Sequence, residues 1–87
     1  MNSNAHPTTT LDQLPVKAVA TIRCIRGESP DHQQLRRRLM ELGFVPGEKV
    51  QILRRMLAGR GPMAVRVGTS TFAMRQLESS MIEVVPA

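Results

Sequence analysis

Apolar side chains recur at every second position through most of this sequence and at helical spacing in a single stretch, a pattern that points to a mainly β fold with one inserted helix. The alternation is clearest from Ala18 to Ile25, where Ala18, Ala20, Ile22 and Cys24 share one face and Val19, Thr21 and Arg23 the other. Ile25 breaks the alternation, which predicts a bulge or bend at that point. A second strand reads from Glu48 to Arg55, with Val50 and Ile52 on one face. Ala58-Gly59-Arg60-Gly61-Pro62 has the composition of a hairpin loop leading into a third strand, Met63 to Val67. Gly68-Thr69 turns the chain into a fourth, Thr71 to Arg75. A short helical turn, Gln76 to Ser80, and a last strand, Met81 to Val85, complete a small closed or nearly closed barrel of about five strands.

The one helical stretch begins where Asp31 and Gln34 stand in capping-box spacing and ends at Gly43, a natural C-terminal stop. Leu35, Leu39 and Leu42 fall at i, i+4 and i+7, a narrow apolar stripe for the core. At about 100° per residue, Arg36, Arg37 and Met40 point away from that stripe, so two cations are expected around an exposed thioether. These three, with Arg60 of the hairpin loop, are the candidate partner-binding residues. Val45-Pro46-Gly47 makes a tight turn after the helix.

Eighty-seven residues suffice for one domain, in which folding hides only about 60 to 65% of the chain's surface. Residues 1–10 are polar and are expected to form a flexible tail, with the domain running from 11 to 87. At the junction Thr10 is placed to cap a helical turn and Gln13 to reach back to it, laying Leu11 and Leu14 on the barrel as a lid. No run approaches the roughly 18 apolar residues of a membrane span. The polar N-terminus lacks the apolar core of a secretion signal, and the lone Cys24 offers no internal disulfide, so a cytoplasmic location is expected.

The residue types required for catalysis do not converge. A nucleophilic Cys24 needs a base within reach, and the histidines are His6 in the tail and His32 beside the helix start. Asp12, Glu28, Asp31, Glu41, Glu48, Glu78 and Glu83 are scattered singly over turns and surfaces. Gly59-Arg60-Gly61 lacks the GxxxxGK[ST] pattern of a nucleotide loop. These observations predict a non-enzymatic binding domain. Glu28, Asp31 and His32 cluster before the helix and are the one candidate metal set, though their spacing is not that of a structural zinc site. No cofactor is required; weak binding of a transition metal ion, Fe2+ or adventitious Zn2+, would fall to these three.

The net charge of +5 rests on ten arginines and two lysines, a bias toward planar donors that pair with carboxylates and phosphates. An acidic partner suits that charge. Nucleic acid is not expected, because the chain has no Trp or Tyr for stacking and no helix rich in base-reading side chains.

From Arg38 onward the sequence Arg-Leu-Met-Glu-Leu-Gly-Phe-Val-Pro-Gly, followed by Val50, Ile52 and Arg54-Arg55, resembles the signature of the FeoA family, ferrous iron transport protein A. The resemblance continues through Gly61-Pro62, Val65 to Gly68, Ala73-Met74-Arg75, Glu78, Ile82 and Val84, and spans roughly Leu11 to Val85. Within it Leu39, Leu42, Gly43, Pro46, Gly47, Arg75 and Glu78 form a structural motif: Gly43 ends the helix, Pro46-Gly47 reverses the chain, and Arg75 and Glu78 are spaced to pair. Two positions depart from the family pattern: Lys17 stands where a glycine is usual, and Ser79 where alanine is common. The resemblance implies an SH3-like barrel that binds the cytoplasmic GTPase-bearing region of the ferrous iron transporter FeoB. It also implies recruitment to the inner face of the plasma membrane by that partner, and is compatible with weak self-association. Similar modules end iron-responsive repressors, from which the lack of a helix-turn-helix here is expected to set this chain apart as the stand-alone form. A metal-binding sensor and a small basic nucleic-acid-binding barrel are the alternative readings.

Overall fold

The computed structural model describes residues 7–56 and 61–87. Six antiparallel strands, β1 (Thr9–Thr10), β2 (Val19–Ile25), β3 (Lys49–Arg55), β4 (Met63–Val67), β5 (Ser70–Met74) and β6 (Ile82–Pro86), form one sheet in the order β1-β6-β2-β3-β4-β5. Helix α1 (Pro30–Glu41) lies between β2 and β3, and α2 (Gln76–Ser80) between β5 and β6. The mainly β architecture with one inserted helix and a short C-terminal helical turn is thus as expected. The added strand is β1: Thr9 and Thr10, placed in the tail by composition, pair with Val84 and Glu83 of β6.

Alternation puts Ala20, Ile22, Val50, Ile52, Val65, Val67 and Val84 inside the curved sheet, where they join Leu39 and Phe44 in one buried cluster. Leu11 and Leu14 close it from one side, as the lid reading predicts. Their 3-10 turn is fastened by Arg55, whose guanidinium donates to the carbonyls of Asp12 at 2.7 Å and Leu14 at 2.8 Å. Thr10 precedes this turn without capping it; its hydroxyl donates to Asp12, and Gln13 turns to Asp12 as well.

The irregularity in β2 falls earlier than Ile25. Ile22 pairs with Val84 and Cys24 with Glu83, so two steps on β2 match one on β6. The bulge shifts the inward position from Cys24, which is half-buried, to Ile25, which is 6% exposed.

Helix α1 begins one residue before Asp31. Ser29 is its cap, with Oγ accepting the His32 N–H at 3.3 Å, and Pro30 occupies the first turn, where no N–H is missed. At its end the Phe44 N–H donates to Leu39 O and the Gly43 N–H to Met40 O, both at 3.0 Å, which is a Schellman closure. Gly43 takes φ +114°, and Phe44 brings its buried ring in beside Leu39. Pro46-Gly47 then reverses the chain, the Glu48 N–H donating to Val45 O at 3.1 Å.

Both departures from the family pattern have a structural setting. Lys17 adopts φ +77°, a left-handed conformation glycine enters at lower cost, and is held there by its N–H on Ile52 O at 2.7 Å. Ser79 is fully buried, and its hydroxyl donates to Gln76 O at 3.0 Å.

Candidate functional site

Helix α1 carries the surface features, and they divide between its two flanks. On the first, Gln33, Arg36, Arg37, Met40 and Glu41 face Gly27 and Val45 across a shallow groove of about 500 Å3. Helical spacing brings these side chains to one face, so three of the four predicted contact residues do come together. Arg60 lies outside the described residues.

Their roles differ from the sequence expectation. Met40 is not an exposed thioether: it is half-buried and packs against the core cluster, because the apolar face of α1 is wider than the leucine stripe. Arg36 is exposed, but its Nε donates to Ile25 O at 3.0 Å, tying the helix to the end of β2. Gly27 makes that approach possible; a Cβ there would stand 3.1 Å from both Arg36 Cβ and His32 O. Arg37 is exposed and makes no ion pair among the described residues.

The second flank faces β5. Leu39, Leu42, Phe44, Phe72 and Met74 form the apolar walls of a groove of about 300 Å3, with Arg38, Arg75 and Glu78 at its rim. The rings of Phe44 and Phe72 meet at 5.8 Å between centroids in a tilted contact. Leu42, expected in the buried stripe, is 40% exposed here, because α1 ends at this turn and nothing described covers it. The pairing expected of Arg75 and Glu78 is present. The Arg75 backbone N–H donates to Glu78 Oε1 at 2.7 Å and its guanidinium stands 3.9 Å from Oε2, so Glu78 caps α2.

The three candidate metal ligands do not converge. Glu28 and Asp31 are exposed and His32 is half-buried. Asp31 and His32 are consecutive in the first turn of a helix, which sends their side chains about 100° apart. Among the described residues no three His, Cys, Asp or Glu side chains are placed to hold a metal ion.

Sequence reading missed one charged arrangement. Glu83, taken for a solvated surface charge, is 7% exposed on β6. Arg26 reaches its Oε1 at 3.0 Å and Arg23 its Oε2 at 2.6 Å. The hydrogen bonds from Arg26 and Arg23 hold the Glu83 carboxyl below the usual carboxylate range, and the Arg23 guanidinium is held more firmly charged in return. The partners are 57 and 60 residues apart in the chain, so no local pattern announces them. This cluster clamps β2 to β6 beside the bulge.

No described helix is long and apolar enough to cross a membrane. No curated protein matches the chain. Among solved structures, FeoA of Stenotrophomonas maltophilia complexed with zinc, a procaryotic SH3 domain protein, is 34% identical, with a TM-score of 0.79 over 87% of this chain and 88% of that one. FeoA of Chlorobium tepidum is 31% identical, with a TM-score of 0.76 over 90% and 70%. IdeR of T. acidophilum shares the fold alone, at 19% identity and a TM-score of 0.76 over 99% of this chain and 37% of that one. The FeoA domain model itself matches residues 9–86, the whole described SH3-like sheet and both helices, and the chain belongs to the FeoA domain family.

Proposed function

We propose that this chain is a non-enzymatic accessory of ferrous iron uptake that docks on the cytoplasmic GTPase-bearing region of a FeoB-type transporter and assists or regulates it. The family match over residues 9–86 carries the reading, together with a 34% identical relative put forward as a bacterial ferrous iron transport activating factor. The contact face is the Gly27 flank of α1. Arg37 supplies a cation without an ion pair among the described residues, Met40 a polarizable wall, and Arg36 a positioned guanidinium. Such a surface suits an acidic patch on a partner met transiently at the inner face of the membrane.

The test is titration of this protein against the purified cytoplasmic GTPase domain of the transporter from the same organism, following binding and GTP turnover together. Saturable binding that Arg37→Glu weakens about tenfold is the expected result. Arg37 suits this test better than Met40, whose replacement would also disturb the core. Absence of binding would overturn the reading, and a change in turnover on binding would make the accessory regulatory.

A further inference from the structure

Strand β5 forms one margin of the sheet, since among the described residues it pairs with β4 alone. The β4-β5 hairpin closes through the two-residue turn Gly68-Thr69, with Val67 opposite Ser70 and Gly68 at φ +58°. In an antiparallel ladder the hydrogen-bonded pairs then alternate from that closing pair: Val67 with Ser70, Val65 with Phe72, Met63 with Met74. The remaining residues of the strand, Thr71 and Ala73, therefore aim their N–H and C=O groups away from β4, along the free margin. Beside that margin lies the apolar groove between β5 and α1, entered past Leu42 and Phe72.

We propose that this margin takes an extended acidic segment of a partner protein, added as a further strand on β5. The backbone groups of Thr71 and Ala73 supply the ladder. An aliphatic side chain on the inner face of the added strand fills the groove over Leu42 and Phe72, because alternate residues of a strand point to one face. The charge of the rim decides the sign of the occupant. Arg38 makes no ion pair among the described residues, and the Arg75 side chain is 82% exposed, while Glu78 is engaged by the Arg75 N–H. The rim thus carries two guanidiniums to one carboxylate; Arg75 is engaged with Glu78, and Arg38 is the cation without an ion pair among the described residues, in a chain of net charge +5. This surface lies on the opposite flank of α1 from the proposed transporter face and does not depend on it.

The probe is a short acetylated peptide in which glutamates alternate with leucine or valine, with lysine replacing glutamate in the control peptide. Amide chemical shifts and hydrogen exchange are read on the full chain. The expected result is a shift and slowed exchange at Thr71 and Ala73, with affinity falling about tenfold for the lysine peptide and dropping with added salt. Ala73→Pro removes an N–H that points away from β4, so it should abolish the peptide response while leaving the hairpin intact. Should that variant fold poorly, Arg38→Glu on the exposed helix surface should weaken the glutamate peptide about tenfold and spare the fold. Equal binding of both peptides, shifts confined to other strands, or no response at millimolar peptide would overturn the proposal. So would concentration-dependent protection of Thr71 and Ala73 without peptide, which would give the margin to a second copy of the chain.

Discussion

Helix α1 joins the sheet differently along its two flanks. Toward Gly27 the join is polar and close: the Arg36 guanidinium donates to Ile25 O, and Arg36 and the His32 carbonyl sit where only a glycine leaves room. Toward β5 the join is apolar and loose at its mouth, with Leu42 partly uncovered above a floor of buried Phe44. Hydrogen bonds fix distance and direction, whereas apolar contact tolerates a gap at the cost of exposed surface. The first flank therefore sets where the helix sits, and the second leaves space that another chain can fill.

The floor of the loose flank should be the costliest place to break. Phe44→Ala removes a fully buried ring and its contact with Phe72, and is expected to cost about 3–5 kcal/mol, read as a drop in the urea midpoint. Gly27→Ala should cost less, about 1–3 kcal/mol, because backbone and Arg36 must shift to admit one methyl. If Gly27→Ala were neutral, the close flank would be as adaptable as the open one and the contrast would fail.

Acidification probes the clamp next to the close flank without a mutation. The Glu83 carboxyl titrates lower in the folded than in the unfolded chain. As pH falls, the unfolded state takes up its proton first, near about pH 4.3. Stability from the clamp is therefore complete above that range and lost as pH falls through it toward the lower folded value. Urea midpoints measured at descending pH should show this loss, and Glu83→Gln should lose less stability over the same interval. The effect should be the smaller one, since both arginines are largely exposed and solvent screens them. Smallest is Leu42→Ala, expected within about 0.5 kcal/mol because the side chain is partly exposed already. That variant sharpens the comparison: it should leave the melting midpoint nearly unchanged while weakening the glutamate peptide.

Features made by neighbours in sequence were legible before the fold was known. Gly43 does end the helix, Pro46-Gly47 does reverse the chain, Glu78 does reach Arg75, and Leu11 and Leu14 do close the core. The misreadings share a cause. Cys24 left the core because β2 carries its bulge one pair earlier than Ile25, a matter of register against β6. Met40 turned out half-buried because it packs against the core cluster beside the leucine stripe. Glu28, Asp31 and His32 are near in sequence yet diverge once the helix starts between them, at Pro30. Thr9 and Thr10, polar and nondescript, became a strand only because β6 offered them a ladder.

Periodicity, caps and turn residues suffice to choose the described elements other than β1, since each depends on backbone preferences acting over a few residues. The Arg23–Glu83–Arg26 clamp, the latch of Arg36 on Ile25 and the groove beside β5 depend on which strands lie together and in what register. They join residues between 11 and 60 positions apart, and at that distance only the packed sheet decides what meets.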